Sequence, residues 1–168
     1  GDAVNAWVVN DGMIVAGTNS HGIFISSDKT KSWYPSSRGL PRNTRITSLI
    51  SHKALLLAGT YSDGIFLSRD NGETWNTSNT GLKNSTIRYF YSIGSRLFVG
   101  TNDGIYISDD EGKSWKVKKT GLQINAFSTG NHQLLAATNQ GVLGSTDYGN
   151  TWNWVFRQGA IFTLAADE

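Results

Sequence analysis

Cysteine is absent from the 168 residues. No disulfide framework, thiolate chemistry or Cys-based metal site can therefore exist, and the redox compartment is left open. Charge is scarce as well. Asp, Glu, Lys and Arg together make 17% of the chain and the formal net charge is +2, too little to argue for nucleic acid or an acidic lipid surface. No apolar run approaches the ~20 residues that a membrane-spanning helix needs. No leader-like stretch is present, as in a processed or trimmed chain. Helical 3.6-residue periodicity is missing throughout. Against these absences stand 19 glycines and a hydrophobic fraction of 38%, a balance that suits an all-β domain with many turns.

The chain also has one strong positive signal. The pattern Ser-x-Asp-x-Gly-x-Ser/Thr-Trp occurs four times, with anchor residues Ser26, Asp28 and Trp33; Ser68, Asp70, Gly72 and Trp75; Ser108, Asp110, Gly112 and Trp115; and Ser145, Asp147, Gly149 and Trp152. The tryptophans stand 42, 40 and 37 residues apart. A period of about 40 residues marks stacked supersecondary units.

Each unit reads the same way. In the second, Ile46-Thr47-Ser48-Leu49-Ile50 alternates and is β-branched at its start, as in a strand. Ala54–Thr60 is a short apolar run, as in a strand buried on both faces. After the Tyr61–Gly64 turn comes Ile65–Ser68, then the Asp70 segment and a short outer strand at Trp75. Four antiparallel strands joined by tight turns make a propeller blade, and a blade needs neighbours to bury its two faces. The repeated Asp suits an Asx-type turn, the Gly a left-handed backbone, and the Trp a cover over the hairpin with one N–H to place. The first unit carries Thr30 at the Gly position, so its turn must relax or carry strain. The fourth carries Ala137 and Gly144 where the other units have Gly or bulkier strand residues.

These segments resemble the Asp-box, or BNR repeat, of sialidases, xyloglucanase-type endoglucanases, sortilin-like receptors and photosystem II assembly factors. They look most like the blades of secreted bacterial repeat proteins. The resemblance implies a β-propeller with blades at about 4–42, 43–85, 86–122 and 123–159. A further strand at 161–165 begins a fifth, so further blades or a second copy are expected to complete the ring. It also implies a secreted or cell-surface location. On activity it is nearly silent, because fold does not define function.

In a four-strand meander the second turns and the crossovers share one face, and relatives of the sialidase type bind ligands there. The candidate binding face gathers His21, Arg42, Arg45, Tyr61, Asp63, Arg88, Asp103 and Gln140. Arg88 interrupts the apolar pattern of its strand, Ile87-Arg88-Tyr89-Phe90.

No catalytic set emerges. Sialidase chemistry needs an arginine triad, a Tyr–Glu pair and an acidic Asp. Glu73 and Glu111 lie inside the repeated segments and Glu168 is terminal, so none is placed as a nucleophile. Asp63 and Asp103 sit at equivalent turns and could pair as glycosidase carboxylates, although repeated turn chemistry explains them too. His21, His52 and His132 show no metal-ligand spacing, and no metal or other cofactor is expected. Lys113, Lys116, Lys118 and Lys119 read as a solvated edge strand and not as a nucleic-acid site. Sequons occur at Asn76 and Asn84. The sequence therefore points to a non-catalytic module that presents a polar loop face to a protein or a glycan. The alternative is a fragment of a glycoside hydrolase with an incomplete active site.

Overall fold

The computed structural model describes residues 2–130 and 133–165. The readings of His132 and Glu168 lie outside the described residues. The described chain is all-β, with four separate four-stranded antiparallel sheets of the propeller-blade type. The first comprises β1 (Val4–Asn10), β2 (Met13–Thr18), β3 (Ile23–Ser26) and β4 (Tyr34–Pro35). The second comprises β5 (Ile46–His52), β6 (Leu55–Thr60), β7 (Ile65–Ser68) and β8 (Asn76–Thr77). The third comprises β9 (Ile87–Ile93), β10 (Arg96–Thr101), β11 (Gly104–Ser108) and β12 (Lys116–Thr120). The fourth comprises β13 (Ile124–Gly130), β14 (Gln133–Thr138), β15 (Gly141–Ser145) and β16 (Asn153–Phe156). Within every sheet the strands follow chain order, because each two-strand step is closed by a tight turn.

Two compact units divide the chain, residues 1–80 with 85–87 and residues 81–84 with 88–168. In the first unit, period-two alternation puts Leu56 and Ala58 of β6 on the face that meets the first sheet. With Phe66 and Trp75 they close on Val15 and Ile23, and Ile46 is fully buried among them. Gly17 leaves room for that isoleucine: a Cβ there would stand 2.3 Å from Ile46 Cγ2. The same construction recurs in the second unit, where a Cβ on Gly100 would stand 2.6 Å from Ile124 Cγ2. There Phe98, Phe127 and Trp152 pack with ring centroids 6.0–6.5 Å apart, in tilted and edge-on arrangements that suit aromatic quadrupoles.

The repeated segments close each β-turn by a common network. Ser68 Oγ donates to Asp70 Oδ1 (2.7 Å) and accepts from the Gly72 N–H (2.8 Å). Asp70 then accepts from the N–H of Thr74 (2.9 Å) and from its hydroxyl (2.5 Å). The other three segments repeat these bonds around Asp28, Asp110 and Asp147. Two successive residues take positive φ in each: Lys29 and Thr30, Asn71 and Gly72, Glu111 and Gly112, Tyr148 and Gly149.

Two further devices were not legible in the sequence. Register shifts fall at the second residue of β1, β5 and β13, where a bulge re-aims one side chain. The freed residues are Asn5, Thr47 and Asn125. They donate to the carbonyls of Ile46 (2.9 Å), Ile87 (2.6 Å) and Ile161 (2.7 Å), each the opening residue of the following repeat. The tryptophan N–H of Trp75 reaches the Ser36 carbonyl at 2.9 Å, in the preceding repeat. Residues 161–165 form no ladder. Ile161 nevertheless occupies the opening slot of a fifth repeat, its carbonyl held by Asn125 and its N–H donating to Thr138 O at 2.9 Å.

Thr30 shows why glycine was dispensable in the first unit alone. A Cβ at Gly72 would stand 2.7 Å from Ile25 Cδ1 of the preceding repeat, and one at Gly149 would stand 2.3 Å from Phe98 Cε1. Thr30 belongs to the first repeat and keeps only the backbone cost of φ +73°. That cost exceeds the extra chain entropy that glycine forfeits on folding, so Thr30→Gly is expected to stabilise the protein by about 0.5–1 kcal/mol. A thermal melt checks this, with the substituted protein unfolding a few degrees higher.

Candidate functional site

The candidate face is organised by a buried threonine at the end of each second strand. Thr18, Thr60, Thr101 and Thr138 donate their hydroxyls to the carbonyls of Gly22, Gly64, Gly104 and Gly141 at 2.9–3.1 Å. The same oxygens accept from the backbone N–H groups of His21, Asp63, Asp103 and Gln140 at 2.8–3.1 Å. Four of the predicted face residues therefore share one local position, pinned from below by a threonine. No sequence signal marked these threonines, because each reads as an ordinary β-branched strand residue.

In the first unit the structure brings several predicted residues together. The Arg45 guanidinium lies 5.0 Å from the centroid of the Tyr61 ring, and Tyr61 N–H donates to Arg45 O at 3.0 Å. Tyr61 is 53% exposed, so the pair forms a flat cationic–aromatic surface facing solvent. Asp63, two residues on, accepts from the Ser62 hydroxyl. His21 Nδ1 is 3.0 Å from Asp2 Oδ2, and that carboxylate also accepts from the N–H of Ser20 and of His21. The His21 hydrogen bond, with these others, holds the Asp2 carboxyl far below the usual carboxylate range. Arg42 is exposed on the connection between the first two sheets.

In the second unit Arg88 Nη1 donates to Asn102 Oδ1 at 3.3 Å, beside Asp103. Its Nε is buried without a hydrogen-bond partner among the described residues, and desolvation lowers its pKa. Asp103 Oδ1 accepts from the Gly121 N–H at 3.3 Å. Gln140 is exposed. Among the described residues no group of three or more His, Cys, Asp or Glu side chains is placed to hold a metal ion. No helix is long and apolar enough to cross a membrane.

The carboxylates of the repeated segments are likewise held below the ordinary range. The Thr74 hydroxyl and N–H and the Ser68 hydroxyl lower Asp70 to about 2. Asp110 also falls to about 2, because the Ser114 and Ser108 bonds outweigh a desolvation effect that pushes upward. Asp28 and Asp147 shift the same way, led by Ser32 and Thr151. Four acids engaged in turn closure are not free for proton transfer.

The fold is shared with solved structures. No family model matches the sequence and no curated protein does. Over 99% of its length the chain superposes on a computationally designed protein, Ika8, with a TM-score of 0.75 and 14% identity. It covers 53% of that protein's chain. Over 94% it superposes on the extracellular domain of BT4673 from B. thetaiotaomicron, with a TM-score of 0.75, 14% identity and 22% of that chain covered. Over 90% it superposes on YCF48 bound to D1 peptide, with a TM-score of 0.68, 15% identity and 54% of that chain covered. The chain thus spans between about a fifth and a half of the length of these neighbours, and the likeness is one of fold: the protein is built as a β-propeller.

The low carboxylate values set an acid limit. The folded values lie below the ordinary 3.8, so these groups contribute stability that is present above about pH 4 and is lost as pH falls toward 2. The melting temperature is expected to drop across that window. Asp70→Asn, which removes the charge and keeps the shape, should lower the melting temperature at pH 7 and flatten part of the acid slope. Circular dichroism melts at pH 7, 4, 3 and 2 would show both effects.

Proposed function

We infer that the chain is part of an Asp-box β-propeller that acts as a non-catalytic binding module. Its polar loops, with His21, Arg42, Arg45, Tyr61 and Asp63 in the first compact unit and Arg88, Asp103 and Gln140 in the second, present side chains for a protein or glycan partner outside the cytoplasm. The observation that carries this reading is the Arg45–Tyr61 pair beside Asp63. It places an exposed ring and a carboxylate on one threonine-pinned turn with a cation over the ring. Such a surface recognises by stacking and charge. A protein partner is favoured over a glycan. The fold neighbour YCF48 is described with a bound peptide, and Arg and Tyr are among the residue types enriched at protein-binding hot spots. The extracellular-domain neighbour and the Asp-box resemblance support a secreted or cell-surface setting.

The test is a binding screen of peptide and oligosaccharide libraries on the immobilised protein, followed by calorimetry on the hits. Tyr61→Ala and Arg45→Ala are each expected to weaken the partner by at least about tenfold, or ~1.4 kcal/mol, without lowering the melting temperature. Hydrolysis of a β-glucan by the protein, lost in Asp63→Asn, would overturn the non-catalytic reading.

A further inference from the structure

The first sheet keeps one apolar face uncovered. Val4, Trp7, Ile14, Phe24 and Trp33 line a depression of ≈ 470 Å³ with almost no polar surface. Val4 is 58%, Trp7 68% and Trp33 40% exposed. The strand registers match these positions to Ile46, Leu49, Leu56, Phe66 and Trp75 of the second sheet. There Ile46, Leu56, Phe66 and Trp75 are at most 2% exposed and Leu49 is half-buried, under the opposite face of the first sheet. The surface is therefore shaped for the far face of a blade. A glycan would find few hydrogen-bonding groups in it, whereas sugar sites need placed polar partners.

We propose that a second copy of this chain covers this face, using the far face of its fourth sheet. That face carries Leu135 and Val142, half-buried, and Val155, 56% exposed, at the register positions of Val15 and Ile23 for the first two. Two observations select this occupant. The first is a matched reversal of size. Thr30 stands where later repeats need glycine to clear a side chain of the preceding one. In the fourth sheet Gly144 stands where Ile25, Leu67 and Ile107 stand in the others, with Val155 leaning over it. The second is a parallel reversal in the inner strands. Val4 replaces the isoleucine of the other repeats, and Ala137 replaces the glycine that receives it. The larger residue on one surface meets the smaller on the other when these two sheets pack together.

Ile161 lies in the slot that Val4 of the second copy takes, held there through its carbonyl and N–H. Residues 161–165 form no ladder, so they compete with the partner and are displaced on association. This inference goes beyond the binding reading above and uses a different surface.

Light scattering after size exclusion tests it, over about 1–100 µM, a range that spans ordinary micromolar self-association. The expected mass is twice 18.3 kDa or a higher whole multiple. Trp7→Glu and Val155→Glu sit on exposed positions, leave the melting temperature of the single chain in place, and each should shift association to at least about thirtyfold higher concentration, since each buries an unpaired carboxylate. Mixing the two variants should restore a two-chain species, because one surface of each remains intact. A chain ending at Gly159 should associate at lower concentration than the parent. A monomer throughout the range overturns the proposal. So does a Val155→Glu protein that associates like the parent, which would give the first-sheet face to another occupant, or a mixture that stays monomeric.

Discussion

A carboxylate shared between two hydroxyls and a backbone N–H is the interaction on which this molecule rests. In each repeat an Asp side chain fixes the turn between the third and fourth strands by bonds to a hydroxyl two residues before it and to the N–H and hydroxyl four residues after it. That turn holds two consecutive left-handed residues, a conformation that costs free energy for any side chain with a Cβ. The hydrogen bonds offset that cost and fix the place of the tryptophan beyond the turn. Burial of Trp75 against the first sheet and of Trp152 against the third follows from this placement, and with it the packing of sheet on sheet within each compact unit.

Much of this could be read from the residues. Strand positions, the tight turns and the four anchored segments follow from period-two alternation, glycine placement and the Ser-x-Asp-x-Gly pattern, all short-range signals. Of the two outcomes open to the Thr30 turn, relaxation or strain, its φ of +73° shows the second. What could not be read depends on partners far along the chain. Asn5, Thr47 and Asn125 look like polar interruptions in apolar strands. Their role emerges only because a bulge shifts them out of the two-residue period toward a carbonyl 36–41 positions away. Thr18, Thr60, Thr101 and Thr138 were hidden for the opposite reason: they fit strand composition so well that a second task left no mark.

The candidate site was legible in part. The turns carrying His21, Asp63, Asp103 and Gln140 share a local geometry, as their equivalent places in the repeat suggested, and Arg45 with Tyr61 forms a pair that their separation of 16 residues did not announce. Arg88 was noticed as an interruption of its strand, yet its side chain is tied to Asn102 and keeps a buried, unpartnered Nε. A cation in that state raises the local affinity for an anionic group, and desolvation makes any such contact stronger than one made at the surface.

The Asp-centred network also has a consequence for how such chains change over time. Every bond in it closes within one repeat and none borrows an atom from the next. A whole repeat can therefore be duplicated or lost by recombination without dismantling any turn, and the repair needed afterwards is confined to the two flat surfaces newly brought together. Arrays of this design gain or shed members more readily than they alter the interior of one.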